Sequence, residues 1–89
     1  MVWIRIRSEK DGGLWSAYCD ELGLASCGTT EDEAIANLKH AVIAYCRALQ
    51  KRGILEITLK DKGVYFEDAP KAPDTDIANV PLSPVLITT

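Results

Sequence analysis

The sequence predicts a small α+β domain in which an antiparallel sheet is covered by one long helix. Before residue 28, apolar and polar residues alternate with a period of two, which is typical of strands that bury one face. From about residue 31 to 52 the apolar residues instead recur with a period of 3.6, which is typical of an amphipathic helix. Eighty-nine residues are enough for one such domain.

Three strands are predicted before the helix, at 2–7, 14–19 and 24–27. Val2, Ile4 and Ile6 form the apolar face of the first strand. Gly12 and Gly13 provide a turn, because glycine adopts positive φ without a Cβ penalty. The first two strands are therefore expected to form a hairpin.

The predicted helix begins at a capping box. Thr30 suits the N-cap and Glu33 the third helical position, where each side chain accepts a hydrogen bond from the other residue's backbone N–H. Gly53 suits the left-handed position after the last turn, so the helix is expected to run from Glu31 to Arg52. Its predicted apolar face comprises Ile35, Leu38, Val42, Tyr45 and Leu49, flanked by Ala34, Ala41 and Cys46.

The chain after the helix is predicted to add strands and then a tail. Residues 54–59 alternate again and predict a fourth strand, which a turn at Gly63 connects to 64–66. Four prolines after residue 69 exclude regular helix and central strand. We therefore expect an α+β domain over residues 1–66 and an extended or partly disordered proline-rich tail over 67–89, in which Val85-Leu86-Ile87 could pair with an exposed strand edge.

Charge and hydropathy exclude several classes of protein. A net charge of −3 and a pI near 5.0 argue against binding to nucleic acid by phosphate neutralisation. No apolar run reaches the roughly 18 to 20 residues of a transmembrane helix, and the first residues lack the unbroken hydrophobic stretch of a signal peptide. We expect a cytoplasmic protein without a membrane partner.

Catalytic, cofactor and metal-binding patterns are not evident. The spacing of Cys19, Cys27 and Cys46 fits no Cys-x-x-Cys zinc pattern, and His40 lies about 120° from Cys46 around the predicted helix. A thiol dyad of Cys19 or Cys27 with His40 is disfavoured, because the helix directs His40 to solvent. We expect no enzymatic activity, no cofactor and no metal.

An RNA-binding module is a less favoured alternative. Trp3, Arg5 and Arg7 share one face of the first predicted strand, and aromatic and guanidinium groups on an open sheet can stack on bases. The competing interpretation is that Trp3 covers a sheet edge and that both arginines are solvated.

Two stretches of the sequence resemble the HicB antitoxin family over about residues 2–53. Trp15-Ser-Ala-Tyr-Cys-Asp-Glu-Leu22 is similar to the family's aromatic-x-Ala-x-x-Pro-Glu-Leu stretch, and Gly28 to Leu38 is similar to its Gly-x-Thr-x-x-Glu-Ala-x-x-Asn-Leu helix start. The family-motif residues are Trp15, Ala17, Glu21, Leu22, Gly28, Thr30, Glu33, Ala34, Asn37 and Leu38. Asp20 departs from the family's usual proline, and Leu24-Ala25 replaces its Pro-Gly-like bend.

The resemblance implies both a fold and a partner. It implies a partial RNase H-like fold of order β-β-β-α-β, and a role in a toxin–antitoxin system. HicB antitoxins neutralise a HicA-type mRNA interferase by covering its active site; the resemblance does not specify the interface residues. The prolines after Gly53 leave no room for the DNA-binding domain that a complete HicB usually carries.

A structural module is the main alternative to an antitoxin. In this interpretation the chain is a solitary HicB-fold oligomerisation protein without a toxin partner. A homo-oligomer is expected in either case, because single cores of this size rarely supply more than about 3 to 5 kcal/mol.

Overall fold

The computed structural model describes residues 2–66 and 82–85. The strands are β1 (Val2–Arg5), β2 (Arg7–Asp11), β3 (Leu14–Cys19), β4 (Leu24–Gly28), β5 (Tyr65–Phe66) and β6 (Leu82–Val85). The helices are α1 (Glu31–Lys51) and α2 (Leu55–Asp61). A three-stranded antiparallel sheet, β2-β3-β4, carries α1 on one face, which confirms the predicted α+β class.

The predicted hairpin is confirmed, but its first strand is divided. β2 and β3 pair from Arg7↔Tyr18 to Asp11↔Leu14, and Gly12 has a φ of +64° as the first residue of a two-residue turn. The single strand predicted over 2–7 is interrupted at Ile6. The segment before this interruption, β1, belongs to a different sheet.

A second antiparallel sheet has the order β5-β1-β6. Val2 lies opposite Val85 in this sheet, and both side chains are buried in the core. Among the described strands β6 lies at an edge of this sheet, the position in which proline is tolerated in strands. Leu82–Val85, within the sequence predicted as a tail, thus pairs with the first strand of the chain; residues 67–81 and 86–89 lie outside the described residues.

The core lies between α1 and the inward faces of both sheets. Ala17 and Cys19 of β3 are fully buried, as are Leu38 and Val42 of α1. The buried stripe of the helix is rotated from the predicted one, and it comprises Ala34, Leu38, Val42, Cys46 and Leu49. The small residue Ala34 lies on this stripe because α1 approaches β4 closely at its first turn.

Helix α1 ends in a Schellman motif. Gly53 has a φ of +71°, its N–H donates to the Gln50 carbonyl at 3.0 Å, and the Ile54 N–H donates to the Leu49 carbonyl at 3.1 Å. The predicted end at Arg52 is confirmed to within one residue. Neither helix in the described part of the chain has the length and apolar character needed to cross a lipid bilayer.

The prediction of a fourth strand over 54–59 is wrong, because this segment begins helix α2. Leu55 and Leu59 are four residues apart, so a helix places both on one face, where Leu59 is buried and Leu55 packs against the core. Ile57 falls on the opposite face and is 71% exposed. A run of six residues is too short for its apolar spacing to distinguish the two periods.

Replacing Ile57 with serine tests this helical assignment. A strand would bury Leu55, Ile57 and Leu59 together, whereas the helix leaves Ile57 in solvent. We expect the free energy of unfolding, measured by urea denaturation, to change by less than about 0.5 kcal/mol. A loss above about 1 kcal/mol would contradict the helix.

Candidate functional site

The family-motif residues meet in the sheet although two segments of sequence carry them. Trp15 of β3 lies directly opposite Gly28 of β4 in the antiparallel register. The first segment continues through Ala17 to Leu22, and the second through the start of α1. The pair Trp15↔Gly28 therefore joins the two segments at the β4–α1 junction, whereas Glu21 and Leu22 lie beyond the opposite end of β3.

Gly28 is required at this junction by a close approach of the helix. A Cβ atom at this position would lie 2.7 Å from the backbone nitrogen of Ala34 and 2.9 Å from Cβ and Cγ of Glu33. Gly28 is not among the glycines of positive φ, so its role is steric rather than conformational. Ala34, fully buried, lets the first turn of α1 pack against the end of β4.

The predicted capping box is half correct. Thr30 Oγ1 accepts a hydrogen bond from the Glu33 N–H at 3.1 Å, as predicted. The Glu33 carboxylate does not bond the Thr30 N–H; it accepts from the Thr29 N–H at 3.2 Å and from the Thr29 hydroxyl at 3.3 Å. The capping interaction is therefore extended by one residue, and Thr29 is a participant that the capping-box pattern did not identify.

Asn37 connects the second turn of α1 to β4 through a hydrogen bond. Its Nδ2 donates to the Cys27 carbonyl at 2.9 Å, so the amide satisfies a backbone acceptor on the edge strand. The next residue, Leu38, is fully buried in the core. Asn37 thus attaches α1 to the sheet by a hydrogen bond, and Leu38 does so by burial in the core.

In the first motif segment, a hydrogen bond from strand β1 to Glu21 connects that strand to the β3–β4 turn. The Glu21 carboxylate accepts a hydrogen bond from the Arg5 backbone N–H at 3.0 Å, just before the interruption between β1 and β2. Leu22 is buried beside it, and Ala17 is fully buried in β3. Glu21 thereby holds the two sheets together at their boundary, a role that sequence spacing alone does not predict.

In the β2–β3 hairpin, the side chain of Arg7 stacks on the ring of Tyr18. The Arg7 guanidinium lies 4.4 Å from the centroid of Tyr18 and donates to both carboxylate oxygens of Asp20, at 3.3 and 3.4 Å. The cross-strand pair Arg7↔Tyr18 could have been predicted from the two-residue hairpin turn, because that turn fixes the register. Exposed apolar area lies at Leu14, 51% exposed, and at Ile57.

An open groove lies where the two helices meet. Its volume is about 360 Å³, and it is lined by Gln50, Gly53, Leu55, Glu56 and Ile57. None of the family-motif residues lines this groove. It is therefore separate from the β4–α1 junction.

The surface needed for RNA stacking is not present at Trp3. This side chain is only 7% exposed, and it lies in the central strand of the second sheet, opposite Tyr65 and Pro84. Arg7 belongs to the other sheet. The alternative prediction that Trp3, Arg5 and Arg7 form one open face is wrong, because the strand divides at Ile6.

Two of the three cysteines are buried, whereas His40 is exposed. Cys19 and Cys46 are buried, while Cys27 and His40 are exposed. Burial raises the pKa of Cys19 to about 11 and also raises the pKa of Cys46, so both thiols stay protonated at neutral pH. Among the described residues there is no group of three His, Cys, Asp or Glu side chains that could hold a metal ion.

Thiol labelling of the native protein checks this arrangement. At pH 8, about three pH units below the Cys19 pKa, we expect Ellman's reagent to react rapidly with one thiol of three, and Cys27→Ser to abolish that rapid phase. In denaturant all three thiols should react. Rapid labelling of the folded Cys27→Ser variant would contradict the buried positions of the other two.

Comparisons with protein-family models, with curated proteins and with solved structures found no match for the chain. Membership of the HicB family therefore stays a prediction that depends on the motif residues described above.

Proposed function

We propose that this chain is a cytoplasmic HicB-like antitoxin, or a binding module derived from one, that neutralises a HicA-type mRNA interferase by covering its active site. The observation that supports the proposal is the junction of the two motif segments at Trp15↔Gly28. Gly28, Glu33 and Asn37 each make a contact there that depends on the identity of the side chain. These contacts give three of the motif residues structural roles at one place in the fold, which supports the proposal.

Charge also favours the proposed partner. The chain has a net charge of −3, and the residues Asp20, Glu31 and Asp32 are exposed at the turn and at the helix start. A ribonuclease that binds the phosphates of messenger RNA presents basic residues at its active site. An acidic protein that covers that site gains association rate from the complementary charge.

Co-expression tests the proposal. The chain is produced in bacteria with a HicA-type protein encoded by the neighbouring short reading frame, under separate inducers. We expect restored growth, a complex that copurifies, and loss of RNA cleavage by the purified toxin. A catalytically inactive toxin variant should still bind, because covering an active site does not need catalysis.

Gly13→Ala is a control variant for this assay. Gly13→Ala, at a turn with open space around its Cα, should protect cells as well as the native sequence does. Unrelieved toxicity and no complex with a folded chain would reject the antitoxin function.

The absence of a HicA-type neighbour, together with a stable homo-oligomer, would instead favour the solitary oligomerisation module.

A further inference from the structure

The sheet β2-β3-β4 has two edges, β4 and β2. Helix α1 packs most closely on β4, and Asn37 already occupies the Cys27 carbonyl there. In β2, by contrast, Arg7, Glu9, Lys10 and Asp11 are all exposed, and Ser8 is half-buried. Within the described residues β2 pairs with β3 alone. Among residues 2–66 and 82–85, the backbone groups on the outer side of β2 thus have no strand partner.

The hairpin turn determines which backbone groups those are. A two-residue turn joins the Asp11 carbonyl to the Leu14 N–H, so Asp11↔Leu14 is a hydrogen-bonded pair. Hydrogen-bonded pairs alternate along antiparallel strands, which directs the N–H and C=O groups of Glu9 toward β3. The same alternation directs those of Ser8 and Lys10 away from β3. Two residues of β2 thus carry free donors and acceptors along the edge.

In one register, the charge pattern of β2 pairs opposite charges without placing like charges against each other. In a two-fold dimer that continues the sheet, the residues facing each other across the axis lie on the same side of the sheet. An axis at Ser8 places Arg7 opposite Glu9 of the second copy, twice. An axis at Glu9 places Arg7 opposite Asp11 twice, but it also places Glu9 against itself on the axis. An axis at Lys10 places Glu9 against Asp11, twice. Like charges directly opposite each other destabilise a strand pair.

We propose that two copies of this chain associate through β2 in antiparallel orientation, with Ser8 on the two-fold axis, to form a six-stranded sheet. The Ser8 backbone groups of both copies then bond each other. Arg7 can reach Glu9 of the second copy while it keeps Asp20, because a guanidinium has five N–H donors. A five-residue edge buries less than the roughly 1,200 Å² of a stable interface, so we expect dissociation at micromolar concentration.

Disulfide trapping tests the register on the full chain. In a Cys27→Ser background, Ser8→Cys places two thiols on the axis, within the 4.4 to 6.8 Å Cα separation that a disulfide needs. Lys10→Cys is the matched control on the same strand face, since its two copies lie about 13 Å apart along the strands. We expect mild oxidation to give a covalent dimer for Ser8→Cys alone. No dimer for Ser8→Cys, or equal dimer for both variants, would overturn the proposal.

Charge reversal tests the pairing in solution. Glu9→Arg and Arg7→Glu each create two like-charge pairs, and each should weaken dimerisation at least about tenfold by sedimentation equilibrium. An equimolar mixture of the two variants restores both opposite-charge pairs, so a heterodimer of native strength is expected. Circular dichroism establishes that each variant is folded. Failure of the mixture to associate would reject the Ser8 register.

The dimer is independent of the proposed toxin. A monomeric chain that still protects cells would reject the β2 interface and leave the antitoxin function in place. A cross-linked dimer without any toxin complex would support the β2 interface and reject the antitoxin function.

Discussion

Replacing Leu38 with alanine is expected to cost about 2 to 5 kcal/mol of the free energy of unfolding. Leu38 is fully buried in α1, among core residues from both sheets and both helices. Its loss removes apolar contacts and leaves a cavity that close-packed neighbours fill only in part. Urea denaturation followed by circular dichroism measures the change. Since small domains have few kcal/mol to lose, the variant should be partly unfolded at 37 °C.

Leu14→Ala is the matched control for this prediction. It makes the same chemical change at a side chain that is 51% exposed, at the tip of the β2–β3 hairpin. We expect a loss of less than about 1 kcal/mol, because much of the Leu14 side chain is in water already. Equal losses for the two leucines would mean that the buried face of α1 is misassigned.

Replacing Gly28 with alanine is expected to destabilise the fold by about 1 to 3 kcal/mol, although the change adds only one methyl group. The new Cβ would lie 2.7 Å from a backbone nitrogen of α1, a distance that neither chain segment can relieve by a side-chain rotation. The helix must move away from β4. That movement would also lengthen the 2.9 Å bond from Asn37 to the Cys27 carbonyl.

Gly13→Ala separates this steric effect from the general effect of replacing a glycine. No atom lies within 4 Å of a Cβ built on Gly13, and its φ is not positive. We expect unchanged or slightly raised stability, because alanine restricts the unfolded chain more than glycine does. If both variants unfold at the same urea concentration, the close approach at Gly28 does not exist in solution.

The sequence predicted the hairpin and the long helix because local signals determine both. Gly12 and Gly13 define the turn, and Thr30 and Gly53 mark the two ends of the helix. These residues act within their own stretch of chain, so spacing and residue type are sufficient to locate them. The strands of the antiparallel sheet were predicted from the alternation of apolar and polar residues before residue 28.

What the sequence did not predict depends on contacts between distant segments. The residues 54–59 fit a strand and a helix equally by pattern, and the burial of Leu59 against the core selected the helix. The division at Ile6 follows from the pairing of β1 with β5 and β6, more than 60 residues later. At the candidate site, the motif identified Gly28 and Asn37, but only the structure showed what each one contacts.

Strand β6 has a consequence for the order of folding. The hairpins β2–β3 and β3–β4 join residues close in sequence, whereas β1 and β6 join the two ends of the chain. Loop closure over such a separation is slow, because its entropy must be lost before the contacts form. We expect the sheet β5-β1-β6 to assemble last and to open first, so its amides should exchange with solvent faster than those of β3. Until residues 82–85 are synthesised, the side of β1 that pairs with β6 stays unpaired, exposed to aggregation and to capture by chaperones.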